Sequence, residues 1–261
     1  MVQRVRLGAG PLTAAAAAMA ESEGPSTPAD PAAFFARLVD LRGSVDLARS
    51  LSTLDRPLPR SPAPDPEARI RLRALAGERL GGVRVDLERT FAEPFQRRNK
   101  LPAAAEIHAA LTQTGALSER GGRPLTAAAE AVWPPFGDLV SRAVERVRFE
   151  TASLREEMAP ALVALGPASA RLERLDAALF GATVRGRQQI EDRLLPALAR
   201  SFAARLRAAV VALPEPATLL HLASWFAPGG WVRAEVGRGR AVVEAVFAHE
   251  QRRLGALIEA A

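Results

Sequence analysis

Leu154-Arg155-Glu156-Glu157-Met158-Ala159-Pro160-Ala161-Leu162-Val163-Ala164-Leu165-Gly166-Pro167-Ala168-Ser169-Ala170-Arg171-Leu172-Glu173-Arg174-Leu175 decides the fold. Apolar residues recur at three and four residues on both sides of Gly166-Pro167, the period of one helix face. Glycine followed by proline ends one helix and allows another to start. Upstream, Val140, Val144, Val147, Thr151, Leu154, Met158, Leu162 and Leu165 continue the seam, so a helix of about 45 Å runs from Phe136 to Leu165. Its spacing is heptad-like with one slip, as in a coiled coil. Downstream, Leu172, Leu175, Leu179 and Ala182, then Ile190, Leu194, Leu198, Phe202, Leu206 and Val210, extend a second helix from Ala168 to about Leu213. Gly181, Gly186 and Pro196 are expected bends in it. Two long helices joined by a two-residue break predict an antiparallel hairpin over about 136–213.

Toward the C-terminus, Pro214-Glu215-Pro216 opens a connection. A short helix with Leu219, Leu220, Leu222, Trp225 and Phe226 follows. After Pro228-Gly229-Gly230 a last helix starts at Trp231 and buries Val232, Val236, Val243, Val246, Phe247, Leu254 and Leu257. Toward the N-terminus, helices are predicted over 126–133, about 102–114, 83–98 and 67–77, with a polar loop over 115–123. Residues 55–66 carry five prolines and few apolar residues, so they read as an extended linker. Before it, Asp30-Pro31 is a good helix start, and Phe34, Phe35, Leu38 and Leu41, then Val45, Leu47, Leu51 and Leu54, form helical stripes. The predicted fold is all-α: a small N-terminal helical unit (1–54), a Pro-rich linker (55–66), and an elongated antiparallel helical-hairpin bundle (67–261).

Composition agrees. The chain has 261 residues, 48 % of them hydrophobic and 25 % charged, which excludes a wholly disordered protein. Aromatics are only 5 % and tyrosine is absent, which disfavours a β-rich fold. Cysteine is absent, so disulfides, thiolate metal sites and cysteine nucleophiles are excluded. The net charge is +6, and Lys100 is the one lysine among 35 basic residues. Arginine excess admits binding to nucleic acid. The arginines are nevertheless spread along the chain and interleaved with acids, and Arg97-Arg98-Asn99-Lys100 is the densest block. No run of strongly apolar residues is long enough for a transmembrane helix. Residues 1–20 read as a retained segment rather than a signal peptide, because Gly8, Gly10 and Pro11 sit where a hydrophobic stretch should begin. A cytoplasmic protein is the expectation.

The sequence offers no catalytic, cofactor-binding or metal-binding constellation. Leu80-Gly81-Gly82-Val83 lacks the Gly-Lys-Ser/Thr ending of a phosphate loop. Gly237-Arg238-Gly239-Arg240 lies in a helical pattern and reads as a thin place for close helix packing. His108, His221 and His249 have no second histidine at helical ligand spacing and read as surface or core-edge residues. If the chain were an enzyme, His108 and His249 would be the first suspects. Glu156-Glu157 beside Arg155, Glu191-Asp192 beside Arg193, and Glu145 with Arg142 and Arg146 read as solvated ion-pair faces. Arg185, Arg187, Gln188 and Gln189 form a polar patch where the apolar stripe weakens, either the exposed tip of a bend or a partner contact. Trp133, Trp225 and Trp231 all sit at helix junctions, as core corners or as interface anchors. The candidate partner contacts are therefore Arg185, Arg187, Gln188, Gln189 and Trp231.

Several stretches are similar to an uncharacterised proteobacterial family of Ala/Arg-rich all-helical proteins. They are Leu154 through Leu162, Pro167 through Leu179, Leu194-Leu195-Pro196-Ala197-Leu198 with Phe202 and Leu206, Gly230-Trp231-Val232, and His249 through Ala260. Gly10-Pro11-Leu12 and Phe35 to Leu51 resemble its N-terminal part, whereas residues 55–130 depart from it. The resemblance brings no activity and no catalytic residues. Genes of that family often lie beside genes for OmpA-like and proton-channel-like (MotA/ExbB-type) proteins. The resemblance thus implies a cytoplasmic accessory of an ion-driven envelope complex. Together these readings predict a non-enzymatic interaction or scaffold protein. Its partner would be another protein, such as the cytoplasmic tail of a membrane protein, or a second copy. The alternative is an arginine-rich nucleic-acid-associated protein.

Overall fold

The computed structural model describes residues 67–95 and 100–261, together with Ala48 and Ser52; over 183–192 it describes the helical backbone but not the side chains. The N-terminal unit expected over 1–54 and the linker over 55–66 lie outside the described residues, apart from Ala48 and Ser52, which are helical and exposed. Among the described residues there is no strand. The chain is all-α, with helices α1 (Ala68–Ala92), α2 (Ala104–Gln113), α3 (Ala116–Glu119), α4 (Gly122–Val132), α5 (Pro134–Ala164), α6 (Pro167–Val211), α7 (Leu219–Ala223) and α8 (Trp231–Ala260). A 3-10 turn at Ser224–Phe226 continues α7.

The described residues fall into two compact units. The first comprises Val85–Arg146 and Leu194–Val246; the second comprises 67–84, Val147–Arg193 and Phe247–Ala261. Helices α1, α5, α6 and α8 each contribute a segment to both.

The second unit is a helical bundle around one apolar cluster. Leu72 and Ala76 of α1 pack with Leu154, Met158 and Leu162 of α5 and with Leu254, Leu257 and Ile258 of α8. Leu172 of α6 covers its side. The break at Gly166 is as tight as the sequence predicts. Gly166 adopts φ +129°, Pro167 opens α6, and Ala170 N–H donates to Gly166 O at 3.0 Å. Arg155 Nε then meets Asp176 Oδ2 at 2.7 Å, an antiparallel pairing of residues nearly equidistant from the break. Ser169 Oγ donates to Ala261 O at 2.8 Å and sets the end of α8 against the start of α6.

In the first unit, α5 buries Phe136, Leu139, Val140 and Ala143, and α6 buries Leu194, Leu198, Phe202, Leu206 and Val210. The four-residue stripe on α6 is the predicted one. All seven apolar residues predicted for the last helix are buried as well.

Three expectations need correction. Helix α1 is continuous from Ala68 to Ala92, whereas two helices were predicted with a break after Gly77. Gly77, Gly81 and Gly82 each cost about 1 kcal/mol relative to alanine in a helix. Burial of Ala68, Leu72, Ala76, Val83, Leu87 and Phe91 at helical spacing outweighs that cost. The helix ends at Ala92, two residues before Pro94, the residue expected to bend or end its last turn. The predicted loop over 115–123 holds α3 and the start of α4, because Ala116 is fully buried and needs a helical turn to reach the core. Helix α5 starts at Pro134, two residues before the predicted Phe136, and the break from α4 falls at Trp133. Proline has no N–H to donate, and the first turn requires none. Trp133 joins the two helices: its N–H donates to Ala129 O, and its O accepts from Phe136 and Gly137.

Gly239 confirms the thin-place reading, whereas Gly237 does not take part. A Cβ on Gly239 would lie 2.6 Å from Val140 Cγ2, and Val140 is itself buried. A Cβ on exposed Gly237 would meet nothing within 4 Å. Accordingly, G239A should lower stability by about 1–3 kcal/mol in urea unfolding. G237A should raise it by about 0.5–1 kcal/mol through helix propensity. Equal effects from the two would contradict the packing.

Candidate functional site

The site is built in the first unit, where large rings meet at a fully buried phenylalanine. Phe202 of α6 has ring centroids of Trp133 at 5.3 Å, Phe136 at 5.1 Å and Trp231 at 5.4 Å. Trp225 meets Trp231 edge-on at 5.3 Å. The tryptophans therefore act as core corners, as junction placement suggested. Gly230 is required beside them, because a Cβ there would fall against the Trp225 backbone carbonyl. Trp231 Nε1 is covered and has no conventional acceptor.

Arg120 fixes the connection after α6. It ends α3 in the left-handed region, at φ 45°. Its guanidinium donates to Leu213 O at 2.6 Å and to Pro214 O at 3.0 Å, and it faces Glu215 at 3.2 Å. A charged donor bridging two carbonyls of this connection makes strong hydrogen bonds that fix its path. On the other side, Thr218 caps the start of α7, and its N–H donates to His221 Nδ1 at 3.1 Å. The neutral His221 ring therefore carries its proton on Nε2. Ser224 Oγ donates to His221 O at 2.6 Å and closes the turn.

Between these fixed parts lies a cavity of about 630 Å³. Ala208 of α6 and Ala212 just beyond its end line it, with Leu213, Leu220, Trp225 and Trp231. Arg205, His221 and Ser224 supply the polar side chains of the lining. Leu220 is 80 % exposed, so the apolar lining reaches the open edge.

Arg205 is held from behind. Its Nε faces Glu235 Oε1 at 3.2 Å, and Arg238 Nη1 reaches the same oxygen at 3.3 Å while donating to Ser201 Oγ at 3.1 Å. Burial pushes the Glu235 carboxyl up to about 7, against the opposing pull of Arg205. Glu235 was not among the sequence candidates. It lies in the apolar register between Val232 and Val236, and an acid inside a buried stripe is the signal that could have found it. Arg120 carried no such signal, since its partners lie more than 90 residues away.

The second unit holds a different polar cluster. The guanidinium of Arg155 lies 5.3 Å from the Phe180 ring centre, and that of Arg253 lies 4.3 Å away. Asp176 faces both, while Glu173 faces Arg155 at 3.7 Å and Glu250 faces Arg253 at 3.4 Å. Arg155 is thus no part of a solvated face, as expected above; its side chain is only 15 % exposed. The neighbouring Glu156 and Glu157 are exposed as predicted, and Glu157 faces Arg79 at 3.7 Å. Arg142, Glu145 and Arg146 are exposed too.

Trp231 is the one predicted contact residue placed in the candidate site. Arg185, Arg187, Gln188 and Gln189 lie on α6, and their side chains fall outside the described residues. His108, His221 and His249 are each half-buried at the core edge. Among the described residues no group of three His, Asp or Glu side chains is placed to hold a metal ion. No helix among them is long and apolar enough to cross a membrane. No protein-family model, curated protein or solved structure matches the chain.

The raised Glu235 value has a signed consequence. Between its ordinary value of 4.5 and about 7, the folded chain holds a proton that the unfolded chain releases. That contribution to stability is complete below 4.5 and is lost as pH rises through 7. It amounts to up to about 3 kcal/mol. Urea unfolding at pH 5 and pH 8 should show a smaller drop for E235Q than for the wild type. Identical slopes in the two chains would show that Glu235 titrates normally.

Proposed function

We propose that the chain is a non-enzymatic helical interaction protein, a cytoplasmic accessory that docks its long helices on another protein. The family resemblance supports an envelope complex driven by ion flow as the setting. Its partner there is the cytoplasmic tail of a membrane protein, with self-association as the other protein-based form.

The observation that carries this reading is Phe149. It is 69 % exposed on α5, although Val147 and Thr151 on the same helix are buried. Leaving a phenylalanine in water forgoes about 2 kcal/mol of burial. A partner surface recovers that energy. Ile70, 68 % exposed on α1 between buried Ala68 and Leu72, repeats the pattern in the same unit. The electrostatics lean the same way. Arg71, Arg79, Arg146, Arg155, Arg205, Arg240 and Arg253 each face a carboxylate within 4 Å. Charge compensated within the fold is less available to a phosphate backbone, which favours a protein partner over the nucleic-acid reading.

A tagged full chain, captured from solubilised membranes with and without nuclease, tests this beside an I70S/F149S double variant. The expected result is a protein retained by the wild type after nuclease and lost by the variant, with unchanged far-UV circular dichroism. Recovery of nucleic acid alone, or equal capture by both chains, would contradict the proposal.

A further inference from the structure

We propose that the cavity beside Arg205 is a binding site for a linear aliphatic carboxylate, its chain against the α6 alanines and the tryptophans and its headgroup on Arg205. The inference stands apart from the protein-docking reading, which rests on Phe149 and Ile70 in the second unit.

Size comes first. A volume of about 630 Å³ lies within the range of small-molecule sites. Its lining then selects an apolar chain. Ala208 and Ala212 are one helical turn apart, so they make a smooth strip without branched side chains. Leu213, Leu220, Trp225 and Trp231 add larger apolar surface. Leu220 is 80 % exposed and would gain from an alkyl chain laid against it.

Charge selects the headgroup. None of the described residues lining the cavity is an acid, and Arg205 is the charged one. Behind it, two guanidiniums share a single carboxylate oxygen of Glu235, so the cluster keeps a net positive charge. Arg205 makes that contact through Nε, on one edge of its planar group. A carboxylate is matched to a guanidinium edge and can accept two parallel N–H bonds from it. His221, with Nδ1 occupied by Thr218 N–H, offers Nε2–H as a second donor. Both polar groups are held before any ligand arrives, Arg205 by Glu235 and His221 by its own helix cap. Such preorganisation lowers the cost of binding.

The test is a titration of the full chain with octanoate, decanoate and dodecanoate below micelle formation, read by tryptophan fluorescence and by calorimetry. Decanol and decyl phosphate serve as headgroup comparisons. Saturable binding is expected, tightening roughly three- to fourfold per added methylene. R205Q should weaken decanoate at least tenfold. A208W, placed at an exposed position that lines the cavity, should abolish binding while leaving Arg205 and Glu235 in place. No saturable signal from any carboxylate, or equal binding by A208W, would overturn the site. Decanol or decyl phosphate binding as tightly as decanoate would overturn the headgroup assignment.

Discussion

Large rings are scarce in this chain, and the helices meet around two of them. Alanine-rich helices approach closely but bury little apolar area per residue, so a few big side chains must supply much of the core. In the first unit, α5, α6 and α8 converge on Phe202 through Phe136 and Trp231. In the second, the same three helices converge on Phe180 through Arg155 and Arg253. One ring is enclosed by aromatics, the other held between guanidiniums that Asp176 positions. The candidate site depends on the first junction. Phe202 packs on Trp231, Trp231 packs on Trp225, and both tryptophans line the cavity.

The helical class, the hairpin break at Gly166 and the buried stripes of α6 and α8 were legible because each is a local pattern of period or turn chemistry. The continuity of α1 was not, since glycine weighs against helix locally and only burial of the Leu72 and Val83 face reverses the balance. Trp231 was singled out as a contact residue, and its place at a helix junction also admitted the corner role it plays. The rest of the candidate site was hidden. Arg120 reaches across more than 90 residues to carbonyls that no side-chain pattern marks. Arg155 looked solvated because its sequence neighbours are acids, whereas its partners Glu173, Asp176 and Phe180 come from α6. Glu235 was visible in principle, as an acid placed where the valine register calls for an apolar residue.

The arginine content takes on a structural meaning in this arrangement. Arg155 and Arg253 stack on a ring while meeting acids, a pairing that a lysine ammonium would not reproduce. Arg120 spans two carbonyls and a carboxylate with one planar group. Arg205 is both an ion-pair partner and part of a cavity lining. Much of the positive charge thus serves to order helices, while Phe149 is a large apolar residue left outside the core.

The claim on which this account turns is that Phe202 orders the tryptophans and with them the site. Equilibrium unfolding of F202A, followed by near-UV and far-UV circular dichroism, measures it directly. The account predicts a loss of about 3–5 kcal/mol and a collapsed tryptophan near-UV signal while the far-UV helical signal persists below the transition. A loss under about 1 kcal/mol with the near-UV signal intact would contradict it.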